Sequence, residues 1–113
     1  MAEHGISARD LSILAEVLAP WRDRIDRIGL FGSRATARFK TASDIDLVVH
    51  GPTLTQADAV RIFTLLDEST LSLRVDLAVS HLVESDSLRR HIEAVERELV
   101  LPDRDANGTP TAS

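Results

Sequence analysis

None of the 113 residues is cysteine, so neither a disulfide nor a thiolate zinc site can belong to this chain. That absence suits the cytoplasm, the expected location. No apolar run approaches the ~20 residues a membrane-spanning helix needs, and no leader peptide opens the sequence. Positive charge is scarce as well: 13 Lys and Arg against 18 Asp and Glu leave a net charge of −5. Sequence-independent grip on a nucleic-acid backbone needs a cationic face, so a polymerase or a DNA-binding protein is disfavoured. No internal repeat is visible, and the histidines and glutamates stand in no zinc-site spacing. What remains, 43% hydrophobic and 27% charged residues, is ordinary for one soluble globular domain. The polar composition from Asp103 to Ser113 marks a disordered tail, leaving residues 1–102 as the domain.

Taken in order, residues 1–6 read as a frayed end. Ser7 with Asp10 reads as a capping box opening a helix striped by Leu11, Leu14 and Leu18, which Pro20 stops. Trp21 follows in a turn, a residue for the core or for a contact surface. Ile25 to Phe31 forms a first strand. A short helix is expected from Ser33 to Phe39. Asp44 to His50 forms a second strand, ended by Gly51-Pro52. Thr53 or Thr55 caps the next helix, with Asp58 in the capping-box position of Thr55 and Ile62, Phe63, Leu65 and Leu66 on its buried face. Leu73 to Val79 is the third strand. Ser85 or Asp86 starts a last helix that runs to Pro102, with Leu88, Ile92, Val95 and Leu99 as a seam for the sheet or a partner. The fold class is therefore α/β (α+β in some schemes): a small mixed sheet of about three strands flanked by helices.

The organising stretch runs from Leu30-Phe31-Gly32-Ser33-Arg34 to Ser43-Asp44-Ile45-Asp46-Leu47, with ten residues, Arg34 to Ser43, between Ser33 and Asp44. An apolar strand that breaks at Gly-Ser makes a tight turn where backbone can approach a ligand closely and free N–H groups can meet a phosphate. In a strand Asp44 and Asp46 share one face, while Ile45, Leu47 and Val49 take the other. Adjacent carboxylates repel, and a hard oxygen-seeking cation such as Mg²⁺ is the simplest compensation. A crossover of roughly twenty residues through a helix permits parallel, right-handed pairing of the second and third strands. Asp76 then stands beside Asp44 and Asp46. The bland alternative is ion pairing, Asp44 or Asp46 with Arg34 or Arg38 and Asp76 with Arg74. His4 and His91 read as surface residues, and His50 and His81 follow strands.

Gly32-Ser33, the ten-residue spacer and Asp44-x-Asp46 resemble the signature of the DNA polymerase β-like nucleotidyltransferase superfamily. The short length and the strings Gly-Ser-Arg-Ala and Ser-Asp-Ile-Asp-Leu resemble its smallest members, the minimal nucleotidyltransferases that pair with HEPN-domain toxins. The motif resemblance covers residues 25–79. Many such members carry a glycine where this chain has Thr36-Ala37-Arg38, which bears on the loop facing the triphosphate. The resemblance implies an Mg²⁺-dependent enzyme with two ions and ATP as substrate. Asp44, Asp46 and Asp76 would be its catalytic and metal-binding residues, and Gly32, Ser33 and Arg34 would bind the nucleotide. Larger relatives add domains that bind the acceptor; the small ones place it on a partner, transferring AMP to a tyrosine hydroxyl of the toxin. Two other readings stand beside that one: a non-catalytic nucleotide-binding antitoxin acting by complex formation, and a small-molecule nucleotidyltransferase of the aminoglycoside-modifying kind.

Overall fold

A computed structural model describes residues 4–36 and 38–102; the expected tail at 103–113 lies outside them. Four strands form one sheet: β1 (Arg27–Phe31), β2 (Ile45–His50), β3 (Val75–Val79) and β4 (Arg97–Glu98), in the order β3-β2-β1-β4. β1 runs antiparallel to β2 and to β4, whereas β2 and β3 are parallel. The parallel pair is joined through α2 (Gln56–Glu68), because neighbouring parallel strands need a connection long enough to return the chain to its start.

One face of the sheet carries Ile28, Leu30, Ile45, Leu47 and Val49, and packs on α1 (Ala8–Leu18) and α2. The other carries Phe31, Val48 and Ala78 beneath Ile92 and Leu88 of α3 (Asp86–Val95). Strand alternation sorts the two sets. The same alternation places Asp46 and Asp76 on the α3 side, at the end of the sheet where β2 and β3 begin.

The helix starts follow their capping residues. Ser7 accepts from the Asp10 N–H, Ser85 accepts from the Leu88 N–H, and Thr55 with Asp58 forms a complete capping box. Asp10 does not complete the box at Ser7. Its carboxylate is 1% exposed and accepts from both the backbone N–H and the hydroxyl of Ser72, pinning the start of α1 to the loop before β3.

Three further expectations are corrected. Residues 4–6 are not frayed: Ile6 is in the core and the His4 carbonyl accepts from Arg34. Trp21 follows the core reading: it is buried, its indole N–H donating to Asp58 Oδ1. Phe63 is 42% exposed, leaving Ile62 and Leu66 as the fully buried residues of α2. The last helix stops at Val95 instead of Pro102. Glu96 leaves helical geometry, Arg97 and Glu98 pair with the open edge of β1, and Leu99 crosses into the core on the opposite face. Satisfying that edge and burying Leu99 and Leu101 outweigh another turn of helix.

Candidate active site

The strand β1 ends at Phe31, and Gly32 follows with φ +78, a conformation that side-chain-bearing residues adopt at a cost. A Cβ built on Gly32 would stand 2.1 Å from Asp46 Oδ2. The turn backbone therefore lies directly against that carboxylate, and only glycine leaves room for it. The helix expected from Ser33 to Phe39 is a single 3₁₀ turn, Gly32–Arg34, closed by the Ala35 N–H on the Gly32 carbonyl. Thr36 hydroxyl contacts to the Gly32 and Ser33 carbonyls and the Arg38 N–H on the Ser33 carbonyl wind the following residues into turns instead.

Strand register does the rest. Phe31 pairs with Asp46, and Asp46 pairs with Asp76, so the strand end that leads into the Gly32 turn and two acids share one rung across three strands. Asp46 is half-buried and hydrogen-bonded to the Asp76 side chain. Burial, then the Asp76 charge and the hydrogen bond with its side chain, then the Asp44 charge, push the Asp46 carboxyl up to about 6. Asp44 stands exposed one residue before β2, close enough for its charge to reach Asp46. The ion-pairing alternative is not seen: none of Asp44, Asp46 and Asp76 is in a salt bridge among the described residues.

Among the described residues no three His, Cys, Asp or Glu side chains close on one point as a ready metal cage. Two carboxylates in hydrogen-bond contact, with Asp46 raised above the usual carboxylate range, are nonetheless a donor set that a divalent cation would relieve. Mg²⁺ characteristically takes one or two carboxylates and completes its shell with water and substrate phosphates. The residues fit that mode of binding.

Two placements were not legible in the sequence. His91 is exposed, as a surface residue should be, but it also comes from α3 to meet Phe31 edge-on at 6.5 Å, and its charge opposes the upward shift of Asp46. Helix-to-sheet docking decides this, and no local pattern encodes it. Arg34, expected at the triphosphate, is 1% exposed and its donors meet the carbonyls of His4, Lys40, Thr41 and Ser43. The exposed cations nearby are Arg38, Lys40 and Arg74; the Arg74 carbonyl accepts from the N–H of Ile45, which follows Asp44.

His50 and His81 lie elsewhere. Both line a cavity of about 480 Å³ beneath α3. His50 stands four positions beyond Asp46, roughly 13 Å along β2 at ~3.3 Å per residue. There His50 Nε2 lies 2.8 Å from Glu96 Oε2, and Arg27 donates to the same oxygen.

Among the described residues no helix is long and apolar enough to cross a membrane. No curated protein matches the sequence. Solved structures that share the fold include three of toxin–antitoxin pairs. One, a toxin–antitoxin with AMP-PNP, has a TM-score of 0.63 at 23% identity, over 86% of this chain and 77% of that one. A tyrosine-to-alanine mutant of the toxin–antitoxin MntA-HpeT gives 0.57 at 23% identity, over 83% and 74%. A mutant of the same pair, with two aspartates two positions apart changed to glutamate, gives 0.61 at 22% identity, over 83% and 75%. The family model described as Polymerase beta, Nucleotidyltransferase matches residues 14–105, which takes in the Gly32 turn and all three aspartates, and the chain belongs to that family.

Proposed function

We propose that this protein transfers AMP from ATP to a hydroxyl, the acceptor being a tyrosine of a partner HEPN toxin that the modification silences. The observation that carries the reading is the rung on which Asp46, Asp76 and the Gly32 turn meet. Membership of a nucleotidyltransferase family supplies the reaction class. The likeness to toxin–antitoxin complexes, one with an ATP analogue and one altered at a closely spaced aspartate pair, supports the partner and the nucleotide. The unit that works in this way is residues 1–102.

In the reaction the acceptor oxygen bonds to the α-phosphorus of ATP, the bond from that phosphorus to the bridging oxygen breaks, and pyrophosphate leaves. Gly32 and Ser33 contact the β- and γ-phosphates through backbone N–H groups and the Ser33 hydroxyl, at a turn where no Cβ intervenes. Asp44, Asp46 and Asp76 would supply the oxygen ligands for magnesium. Two magnesium ions, when bound, neutralise charge on the attacking and leaving oxygens. Asp76, exposed at the outer strand of the rung, takes the proton from the acceptor hydroxyl. Arg38, Lys40 and Arg74 are the cations available to the triphosphate.

The experiment is to co-purify this chain with the product of its neighbouring gene, add ATP and Mg²⁺, and weigh both intact proteins. One or more AMP units on the partner, absent with Asp44→Asn plus Asp46→Asn, is the expected result. A silenced partner with no adduct would replace transfer by inhibition through complex formation. Adducts only on small hydroxyl compounds would replace the protein acceptor.

A further inference from the structure

We propose that Arg34 is a positioning residue for Asp44, clamping the approach to the metal-binding acids. Arg34 Nε and one terminal nitrogen both donate to the Ser43 carbonyl, at 3.2 and 2.9 Å, a fork on the residue immediately before Asp44. The same nitrogen reaches the Thr41 carbonyl at 3.2 Å and the Lys40 carbonyl at 3.4 Å. The other terminal nitrogen donates to the His4 carbonyl at 2.9 Å, bringing the start of the described chain into the same knot. The Phe39 ring lies under the guanidinium, 4.8 Å from centroid to carbon. A cation this buried needs its donors satisfied, and here carbonyl dipoles do it, with Asp10 contributing charge from further off.

The placement explains why the arrangement matters to the site. Arg34 belongs to the 3₁₀ turn that presents Gly32 and Ser33, and its far end holds the residue before Asp44. One side chain thus spans the connection from the phosphate-facing turn to the first acid. Near Asp44 that connection is also held by short-range bonds: the Lys40 N–H donates to the Ser43 hydroxyl and the Ser43 N–H to the Lys40 carbonyl. Asp44 is exposed and in no salt bridge among the described residues, so its position is set by its chain neighbours, Ile45 on the Arg74 carbonyl and Ser43 in the Arg34 fork. A lysine could keep the charge and not the fork, because only guanidinium offers paired donors in a fixed plane.

The catalytic consequence rests on the nucleotidyltransferase reading; the clamp does not. Arg34→Lys, Arg34→Met and the milder Phe39→Leu, which leaves every hydrogen bond in place, are compared with wild type by hydrogen–deuterium exchange, by Mn²⁺ and AMP-PNP binding, and by AMP transfer. Both Arg34 variants should speed exchange across residues 40–45 and weaken Mn²⁺ about tenfold, the low end for residues that orient metal ligands. The half-saturating Mg²⁺ for transfer should rise by a similar factor, while KM for ATP at saturating Mg²⁺ changes less than threefold. Phe39→Leu should show the same pattern more weakly. If Arg34→Lys behaves as wild type while Arg34→Met raises only KM for ATP, the residue is a triphosphate contact and the proposal is overturned. If exchange quickens but Mn²⁺ affinity and the Mg²⁺ requirement stay put, the role is structural only, which also overturns it. Should wild type bind Mn²⁺ and transfer nothing, the transferase reading fails and the clamp stands on exchange and metal affinity. Should wild type bind neither Mn²⁺ nor AMP-PNP, both fail, since Asp44 then has no metal to be positioned for.

Discussion

Asp46 sits where three influences act against its ionisation, and its neighbours decide how the protein responds to pH. Its carboxyl rises from the ordinary 3.8 to about 6 in the folded chain. A raised acid binds more protons folded than unfolded between those values, so stability is full below about pH 4 and declines as pH climbs through about 6. In EDTA the melting temperature should therefore fall from pH 4.5 to pH 7.5, with Asp46→Asn flattening that part of the profile. Added Mg²⁺ should restore stability at pH 7.5 and do little at pH 4.5. An unchanged slope in Asp46→Asn would locate the pH response elsewhere. Gly32 offers a second lever on the same carboxylate. Gly32→Ala meets both a positive φ and a 2.1 Å approach to Asp46 Oδ2, so Asp46 must swing off Asp76. The left-handed conformation alone costs about 1–2 kcal/mol for an alanine. Circular-dichroism melts should show at least that loss, and AMP transfer should fall by at least tenfold although no acid has been removed.

Among the elements, the start of α2 is tied to a segment distant in sequence through one carboxylate. Asp58 accepts from the Thr55 N–H, from Arg24 and from the indole of Trp21, tying the helix to the segment between α1 and β1. The backbone bond from Thr55 comes first among the causes that hold the Asp58 carboxyl down at about 2. A lowered acid contributes stability above its unfolded value near 3.8 that is lost as pH falls towards about 2, the reverse of Asp46. Asp58→Asn should leave the melting temperature lower at pH 6 and close to wild type at pH 2.5, measured by calorimetry. Thr55→Ala should cost about 1 kcal/mol, the usual worth of an N-cap hydroxyl. Elements of this kind were readable in advance, because Ser7, Thr55 and Ser85 announce helix starts within four residues. The ends were not. Nothing local at Glu96 says that Arg97 and Glu98 will leave the helix for the edge of β1, since the reason lies in an unpaired strand nearly seventy positions earlier. The Ser33–Phe39 helix failed for a similar cause: Arg34 is drawn away to carbonyls at His4 and at Ser43, which a local propensity cannot anticipate.

Across the whole molecule, the acids were legible because strand alternation is strict: Asp46 and Asp76 had to share a face once β2 and β3 paired in parallel. Their companions were not, since His91 arrives through the docking of α3 and Arg34 turns inward from a segment that reads as a phosphate loop. The same parallel pairing has a bearing on how the chain reaches its native state. Asp46 and Asp76 are thirty positions apart, and they become neighbours only when β3 joins β2. Long-range pairings of this sort dominate the search that limits folding rate. Like charges must therefore be brought together during that search, before the buried contacts of α2 and β3 are complete. In stopped-flow experiments without divalent metal, refolding should be several-fold slower at pH 8 than at pH 5, with unfolding nearly unaffected. Asp46→Asn should erase the difference, and a pH effect confined to the unfolding rate would mean that the rung closes after the rate-limiting barrier. Magnesium, present while the chain is still seeking its structure, would then act as a folding catalyst as well as a ligand, and the apo protein would assemble fastest where its carboxylates are quietest.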